Sequence, residues 1–271
     1  MSSPKSLRLA AAIILSAIFL IALAAGFVAP YSYAKQFRDA PLATPSGAHL
    51  FGTDALGRDE FSRLLYGSRV SLLLAPTAAL LSTCIAGVLG GVAGFRGGWW
   101  GKAILASADL LMALPVLFVL IALRAALPLD VAPFISTMAT FLILSLLGWP
   151  SSLRVVWAAA RNIRNSDFLL LARSNGSSPT RIILRQVLPN LRPVLAAQFW
   201  VTIPVFILAE ATLSMLGLGV MEPLPSWGNL MRGLENSSVL HANPWTIAPL
   251  VLLIIVVSCF QFILPAREDL S

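Results

Sequence analysis

Two acidic residues lie inside long apolar stretches of this sequence. Burying a charge there is energetically costly, so each acid is first considered as a functional residue. Asp109 lies in the apolar stretch 103–123, and Glu210 lies in the stretch 193–221. An ionisable side chain at membrane depth is a candidate for a substrate pathway or a gate. Pro204 adds to this candidate, because a proline inside a helix bends or breaks it. A carboxylate close to a membrane interface is the alternative for each acid, and the sequence leaves both explanations open.

Other residue patterns that would support catalysis or cofactor binding are incomplete. Gly101-Lys102 resembles the end of a phosphate-binding loop, but Arg96 replaces the first glycine of that loop and Ala103 replaces its Ser or Thr. We therefore expect the chain to bind no ATP or other cofactor. The cysteines lie in apolar stretches and the histidines are isolated in loops, at Cys84, Cys259, His49 and His241. We expect no metal site, and the spans lack the paired side chains of a membrane-embedded enzyme.

The composition is that of a membrane protein. Of the 271 residues, 58% are hydrophobic and 11% are charged, against roughly 25% charged residues in an ordinary soluble domain. A helix needs about 20 predominantly apolar residues to cross the hydrocarbon core of a bilayer. We therefore predict an all-α polytopic membrane protein with six transmembrane helices. The predicted spans are 9–28, 70–95, 103–123, 131–153, 193–221 and 242–266.

Basic residues are distributed unevenly between the loops, which predicts the orientation of the chain. With six spans, the N-terminal tail, the loop after the second span and the loop 151–192 lie on one side of the membrane. The loop 151–192 alone carries seven arginines. Because cytoplasmic loops are enriched in Lys and Arg, we expect both termini to be cytoplasmic.

The predicted helices and loops divide the chain into two parts. Residues 1–69 form an N-terminal transmembrane helix and an outer segment, and residues 70–266 form a core of five transmembrane helices. The end of the outer segment has an amphipathic helical pattern and is predicted to lie on the membrane surface. Its apolar and basic residues are Phe61, Leu64, Leu65, Arg58, Arg63 and Arg69. The second span has overlapping small-xxx-small patterns that favour close helix packing. They are formed by Gly87, Gly90, Gly91 and Gly94.

The loop 151–192 has the sequence of a structured segment and not of a linker. Asn165 and Ser166 are typical helix caps, and a short helix over 168–173 follows, which Asn175-Gly176 can close. This short helix carries several leucines. An exposed apolar surface of this size normally docks on a partner.

A second helix is predicted in the same loop. Ser178 before Pro179 marks its start, since proline is tolerated in the first turn of a helix. Pro189 is expected to stop or kink this helix before the fifth span.

Several blocks of residues resemble a known family. Ala172, Gly176 and Leu188-Pro189 match the later part of the Glu-Ala-Ala loop in permease subunits of bacterial ABC importers. The other blocks are Gly52-Thr53-Asp54, Gly57-Arg58-Asp59, Ser62-Arg63-Leu64-Leu65-Tyr66-Gly67, Leu188-Pro189-Asn190, Ala209-Glu210-Ala211, Leu213-Ser214, Leu216-Gly217-Leu218-Gly219 and Pro225-Ser226-Trp227-Gly228. Together they resemble the C-type permease of the dipeptide, oligopeptide and nickel importer group.

The resemblance implies a type I ABC importer permease fold, in which a short coupling helix of the loop 151–192 docks on a cytoplasmic ATPase. By this resemblance the coupling residues are Asp167, Phe168, Leu170, Leu171, Ala172, Arg173, Gly176, Leu188 and Pro189. Where the family usually has Glu-Ala-Ala, this chain has Leu170-Leu171-Ala172. The docking helix therefore lacks the usual acid, and Asp167 supplies a carboxylate three residues earlier.

The resemblance also implies that the chain is one subunit of a multi-pass complex in the bacterial inner membrane. Its expected partners are a homologous second permease, two ABC ATPases that bind ATP and Mg, a periplasmic or lipid-anchored substrate-binding protein, and membrane lipid, but no nucleic acid. Peptides, or nickel and related small solutes, are the implied substrates. The alternative is a self-sufficient secondary transporter or channel, a class that usually shows internal repeats and several intramembrane charges.

Overall fold

The chain folds into helices joined by loops. The computed structural model describes residues 4–126, 132–167, 169, 178–235, 240 and 243–263. The α-helices within these residues are α1 Pro4–Leu23, α2 Ala25–Val28, α3 Glu60–Arg96, α4 Gly98–Ala113, α5 Val116–Ala125, α6 Pro133–Arg164, α7 Pro179–Ile182, α8 Leu188–Met215, α9 Trp227–Met231 and α10 Ala248–Ile263. A π-helical turn, Ile183–Val187, joins α7 to α8. The predicted all-α class is confirmed.

Five helical stretches in the described residues are long and apolar enough to cross a membrane, whereas the sequence predicts six. They are Lys5–Leu23, Glu60–Arg96, Pro133–Arg164, Arg185–Met215 and Pro244–Ile263. The predicted third span is divided between α4 and α5, which have 16 and 10 residues. Pro115 lies at the break. A proline ring donates no N–H and clashes with the carbonyl group four residues earlier, which explains the interruption.

The predicted surface segment and the second span form one continuous helix. α3 begins at Glu60 and has 37 residues. Arg63, in its first turn, is only 2% exposed, and Arg58 just before the helix is 8% exposed. The expectation of an amphipathic helix with these arginines on its polar side is therefore wrong, because ion pairs described below allow both to be buried.

The chain consists of two compact units. Unit one comprises Met1–Pro76, Arg124–Phe141 and Pro204–Ser271, and unit two comprises Thr77–Leu123 and Leu142–Ile203. In unit one, α1 and α9 both pack against α10. In unit two, α6 packs against the end of α3 and against the start of α8 through a cluster of buried aliphatic side chains.

Glycines on α3 allow close packing against α6 in unit two. A Cβ atom added at Gly94 would lie 2.6 Å from the carbonyl oxygen of Trp157, and one added at Gly90 would lie 2.9 Å from that of Leu153. Cβ atoms essentially never lie closer than 3.0 Å to another heavy atom of this kind. The predicted packing role is therefore confirmed for both glycines.

We expect Gly94→Ala to destabilise unit two, because the added methyl group would meet helix backbone that cannot move aside. Overpacking of this kind costs about 1–3 kcal/mol, so the thermal unfolding midpoint of the full chain in detergent should fall by several degrees. Gly91→Ala is the matched control on the same helix, since its Cβ would lie 3.7 Å from Cδ1 of Leu191, an ordinary contact. An equal fall in both variants would contradict the assignment.

Candidate functional site

The first part of the loop 151–192 is anchored in the core of unit two. α6 ends at Arg164, and the N–H of Leu169 then donates to the carbonyl oxygen of Ser166 at 3.1 Å. The Leu169 side chain is fully buried. It belongs to one apolar cluster made of Val156, Ala160, Leu169, Ile182, Val187 and Leu191. The sequence did not distinguish Leu169 from its leucine neighbours, so this anchor was missed.

The predicted coupling residues are only partly within the described structure. Six of them lie outside the described residues: Phe168, Leu170, Leu171, Ala172, Arg173 and Gly176. Asp167 is exposed, Leu188 is 42% exposed and Pro189 is half-buried. These three side chains are therefore available at the surface on either side of the buried Leu169.

The second helix of this loop begins where the sequence predicts, but it does not stop at Pro189. The Ser178 hydroxyl accepts a hydrogen bond from the N–H of Arg181 at 3.4 Å, as expected of an N-terminal cap. The helix then passes through the π-helical turn Ile183–Val187 and continues as α8 beyond Pro189. A π turn shifts the backbone hydrogen bonding by one residue, so the helix continues past a residue that has no N–H.

Asp109 has a cationic partner that the sequence analysis did not identify. It lies on α4, and its Oδ1 atom accepts from Nη2 of Arg154 on α6 at 2.5 Å. Both side chains are 53% exposed. An exposed ion pair contributes only about 0–1 kcal/mol to folding stability. Arg154 nevertheless neutralises the single acid of this apolar stretch. Arg154 directly follows the fourth predicted span, and this position is the feature of the sequence that could have indicated the pair.

Glu210 is fully buried in unit one and is held by serine hydroxyl groups. It lies on α8, as does the buried Pro204. Ser214, one turn later, donates to its Oε1 atom at 2.5 Å, and Ser71 on α3 donates to Oε2 at 3.4 Å. Within the described part of the chain, no Lys or Arg forms a salt bridge with Glu210. Its carboxyl group therefore joins α3 to α8 through hydrogen bonds alone.

These serines also hold the segment that follows α8. The N–H of Val220 donates to the Ser214 hydroxyl at 2.9 Å. Trp227 donates from its backbone to the Ser71 hydroxyl at 3.3 Å and from its indole ring to the Ser68 hydroxyl at 2.9 Å. The segment thus folds back onto α3. We call these residues the Glu210 network: Ser68, Ser71, Glu210, Ser214, Val220, Ser226 and Trp227.

Four charged side chains form a second site in unit one, the ion cluster, which consists of Asp54, Arg58, Arg63 and Glu222. Arg58 contacts Asp54 at 2.7 Å and Glu222 at 2.5 Å. Arg63 contacts the same two carboxylates, each at 2.8 Å. Each arginine therefore bridges both acids, and the cluster joins the loop before α3 to the segment after α8. Glu222 lies outside the sequence blocks that contain Asp54, Arg58 and Arg63, and nothing in the sequence indicated that these four residues pair.

The neighbouring carboxylates keep Arg58 charged. Burial by itself lowers the pKa of Arg58, but the carboxylates of Asp54 and Glu222 outweigh burial and hold that pKa above its ordinary value. The guanidinium group is therefore charged throughout the physiological pH range. Because the two arginines face two acids, the cluster is neutral as a whole, which makes its burial tolerable.

His49 is paired although it lies in a loop. Its Nδ1 atom lies 2.9 Å from Oδ1 of Asp59, and both residues are buried. Oδ2 of Asp59 accepts from the N–H and hydroxyl of Ser62. The pair fixes the loop before α3 to the first turn of that helix. His241 lies outside the described residues.

Comparisons with known proteins fit this arrangement of helices and loops. Residues 86–267 match the family described as binding-protein-dependent transport system inner membrane component. The chain is 36% identical over 224 residues to the dipeptide transport system permease protein of Bacillus subtilis, covering 83% of this chain and 68% of that protein. It is 32% identical over 241 residues to the oligopeptide transport system permease protein of the same organism, covering 89% and 76%.

A third relative is a putative peptide permease protein of Brucella suis, 34% identical over 203 residues, which cover 75% of this chain and 65% of that protein. The matched part thus spans about two thirds of the lengths of the Brucella suis protein and the Bacillus subtilis dipeptide permease. The family match includes α6, α8, the loop between them and the segment after α8, but not Ser68 and Ser71 of the Glu210 network. The chain therefore belongs to the family of inner membrane components of binding-protein-dependent transport systems.

Proposed function

We propose that this chain is the permease subunit of an ATP-driven importer and forms half of a transmembrane pathway for peptides. The observation that carries the proposal is the similarity, at 32–36% identity over most of the chain, to permeases named for dipeptide, oligopeptide or peptide transport. Nickel chelates and related small solutes are the competing substrate class. ATP and Mg are bound by separate ATPase subunits, and this chain holds no cofactor.

The proposed coupling mechanism uses the loop 151–192 as the attachment point of the ATPase. ATP-driven movement of the ATPases displaces the segment from Asp167 to Gly176, together with the exposed Leu188 and the half-buried Pro189. The burial of Leu169 among side chains of α6 and α8 supports this route, because a packed cluster transmits displacement and does not absorb it. The spans then open to opposite sides of the membrane in turn.

Both termini are proposed to be cytoplasmic, with α4 and α5 together making the interrupted third crossing. This orientation places the loop before α3 and the segment after α8 on the outer side. In this orientation the ion cluster and the Glu210 network stabilise the outer mouth of the pathway. A periplasmic or lipid-anchored binding protein delivers substrate to this mouth, and a homologous second permease completes the pathway. Pro204 and Glu210 of α8 are proposed to belong to the gate, Glu210 by holding the Glu210 network together and not by contacting the substrate. Asp109 with Arg154 is proposed to lie near the cytoplasmic interface.

Purification and reconstitution test the proposed function. The full chain, co-expressed with a homologous permease, ATPases and binding protein, is expected to purify as a complex and to import labelled peptides into liposomes only when ATP is supplied. Purification of the chain alone, with transport that needs no ATP, would instead identify a secondary transporter or channel. ATP-dependent uptake of a nickel chelate but not of peptides would correct the substrate class.

Leu169→Ala is expected to weaken coupling. Truncating a fully buried leucine costs about 2–5 kcal/mol and loosens the contact between the loop and α6 and α8. The ATP hydrolysed per peptide imported should rise at least severalfold. Leu153→Ala is the matched control, since Leu153 is also fully buried in unit two but belongs to a different apolar cluster. If both variants lose stability and neither changes the ratio of ATP to peptide, Leu169 has no special role in coupling.

A further inference from the structure

A basic cavity lies between α3, α4 and α6 in unit two and is not used by the proposed transport mechanism. It has a volume of about 310 Å³. One water occupies roughly 30 Å³ of the liquid, so the cavity has room for a group much larger than a single water. Its basic lining residues are Lys102, Arg161 and Arg164, and its remaining lining residues are apolar side chains, glycines and Trp157.

The positive charge of this cavity is not neutralised within the described part of the chain. None of the three cations forms a salt bridge with a described Asp or Glu, and the described residues that line the cavity include no acid. Arg161 lies over the ring of Trp157 at 5.5 Å, and Nη1 of Arg164 donates to the carbonyl oxygen of Arg96 at 3.3 Å. These contacts orient the guanidinium groups but leave their charge uncompensated. Three like charges around one cavity repel each other unless an anion lies between them.

The backbone beside the cavity adds to its affinity for anions. α4 begins at Gly98, and its cap residue, Gly97, offers no side-chain hydrogen bond to the first N–H groups of the helix. The positive end of the helix dipole therefore also faces this region. Gly97 has φ +64°, and a Cβ atom there would lie 2.5 Å from Nη1 of Arg164. The positive φ favours glycine at this position, and a side chain here would push the guanidinium group of Arg164 aside.

Two exposed tryptophans indicate where the cavity lies in the membrane. Trp99 and Trp100 follow Gly98 directly and are 72% and 61% exposed. Exposed tryptophans of membrane proteins concentrate at the level of the lipid headgroups, where their rings are partly in the hydrocarbon. The two tryptophans therefore indicate headgroup depth for the cavity, where the phosphates of anionic lipids attract basic side chains.

We propose that this cavity binds the phosphate-bearing headgroup of an anionic phospholipid, with Lys102, Arg161 and Arg164 as its ligands. Trp99 and Trp100 contact the glycerol and upper acyl-chain region of the same lipid. The proposal concerns the chain as a membrane protein and does not depend on its transported substrate. A free phosphate or a carboxylate of a protein partner would satisfy the same charges, so the experiment separates these sources.

Native mass spectrometry of the assembled complex tests the proposal. The complex is released from nanodiscs that contain phosphatidylcholine and phosphatidylglycerol, and the retained lipids are identified. Wild type is expected to retain phosphatidylglycerol in preference to phosphatidylcholine. Lys102→Gln/Arg161→Gln/Arg164→Gln should lower this retention about 100-fold, since each cation near an anionic membrane surface contributes roughly fivefold. Arg181→Gln/Arg185→Gln/Arg192→Gln removes the same charge at exposed sites outside the cavity and should change retention little.

Other outcomes overturn the proposal. Equal retention of the two lipids by wild type, or an equal loss in both triple variants, means that the cavity has no specific lipid. Inorganic phosphate has no acyl chains for the tryptophans to contact, so an excess of it should not displace a bound phospholipid. If it does displace phosphatidylglycerol, a soluble phosphate is the ligand. If the cavity variant keeps its lipid but loses the ATPase, the cations bind an acidic partner surface. The wild-type lipid preference and the phosphate competition remain informative even if the triple variant does not fold.

Discussion

Arg63→Met is expected to abolish transport and to lower the free energy of unfolding by about 3–5 kcal/mol. The Arg63 side chain is 3% exposed and contacts Asp54 and Glu222 at 2.8 Å each. Removing it leaves two carboxylates that share Arg58 alone, and Asp54 is only 15% exposed. An uncompensated buried charge is far more costly than the loss of a surface pair. The loop before α3 should separate from the segment after α8, which disorganises the outer side of unit one.

Thermal unfolding and ATP-dependent peptide uptake of the assembled complex measure this effect. Arg69→Met is the matched control, because Arg69 lies on the same helix but is exposed. Glu222→Gln should have a smaller effect, since its side chain is 46% exposed and can be hydrated. Adding Glu222→Gln to Arg63→Met should recover part of the lost stability by removing a carboxylate that has lost a partner. If Arg63→Met and Arg69→Met behave alike, the ion cluster has no stabilising role.

The membrane-spanning helices could be predicted from the sequence because their length and apolarity are set by the thickness of the bilayer. Five of the six predicted spans correspond to single long helices. The sequence predicts a kink at each of Pro76, Pro115 and Pro204, but it does not show that Pro115 alone of these three interrupts its helix. Pro76 lies within α3 and Pro150 within α6, and both helices continue. Whether a helix continues past proline depends on packing that a local pattern does not contain.

The candidate sites were predicted only where one local pattern defined them. Glu210 stood out as an acid in an apolar stretch, and Ser214 lies one helical turn from it. Ser71, another of its partners, is 139 residues away in sequence. Arg63 and Glu222 are likewise separated by 159 residues. Pairings over such distances depend on how the helices are arranged, so a single sequence does not reveal them even when one partner, Arg63 or Glu210, lies in a recognisable block.

The loop 151–192 illustrates the same limit at short range. Its helix start at Ser178 was predictable, because the cap and the following proline are adjacent in sequence. Leu169 and Leu170 have the same side chain, and only tertiary packing decides which leucine is buried. Composition predicts that this segment carries an apolar surface. It does not predict that Leu169 faces the core of unit two.

Glu210→Ala is expected to reduce transport more than tenfold and to lower the free energy of unfolding by about 3 kcal/mol, from lost packing and from hydroxyl groups left without an acceptor. Ser214 and Ser71 would lose the carboxyl group to which they donate. The segment after α8 would be loosened, because the same serines bind Val220 and Trp227. Thr212→Ala is the control on the same helix, since its exposed hydroxyl bonds only to the backbone of α8.

Glu210→Gln separates the two explanations that the sequence left open for this acid. Glutamine has the same shape, and its amide oxygen can accept from Ser214, so a residue that only holds the Glu210 network should tolerate it. We therefore expect Glu210→Gln to keep both the unfolding midpoint and ATP-dependent peptide uptake close to wild type. A variant that folds normally but does not transport would show that the carboxyl group acts in the pathway itself. Because Glu210 has hydroxyl partners and no cationic partner among the described residues, a structural role explains its burial without requiring a transported charge beside it.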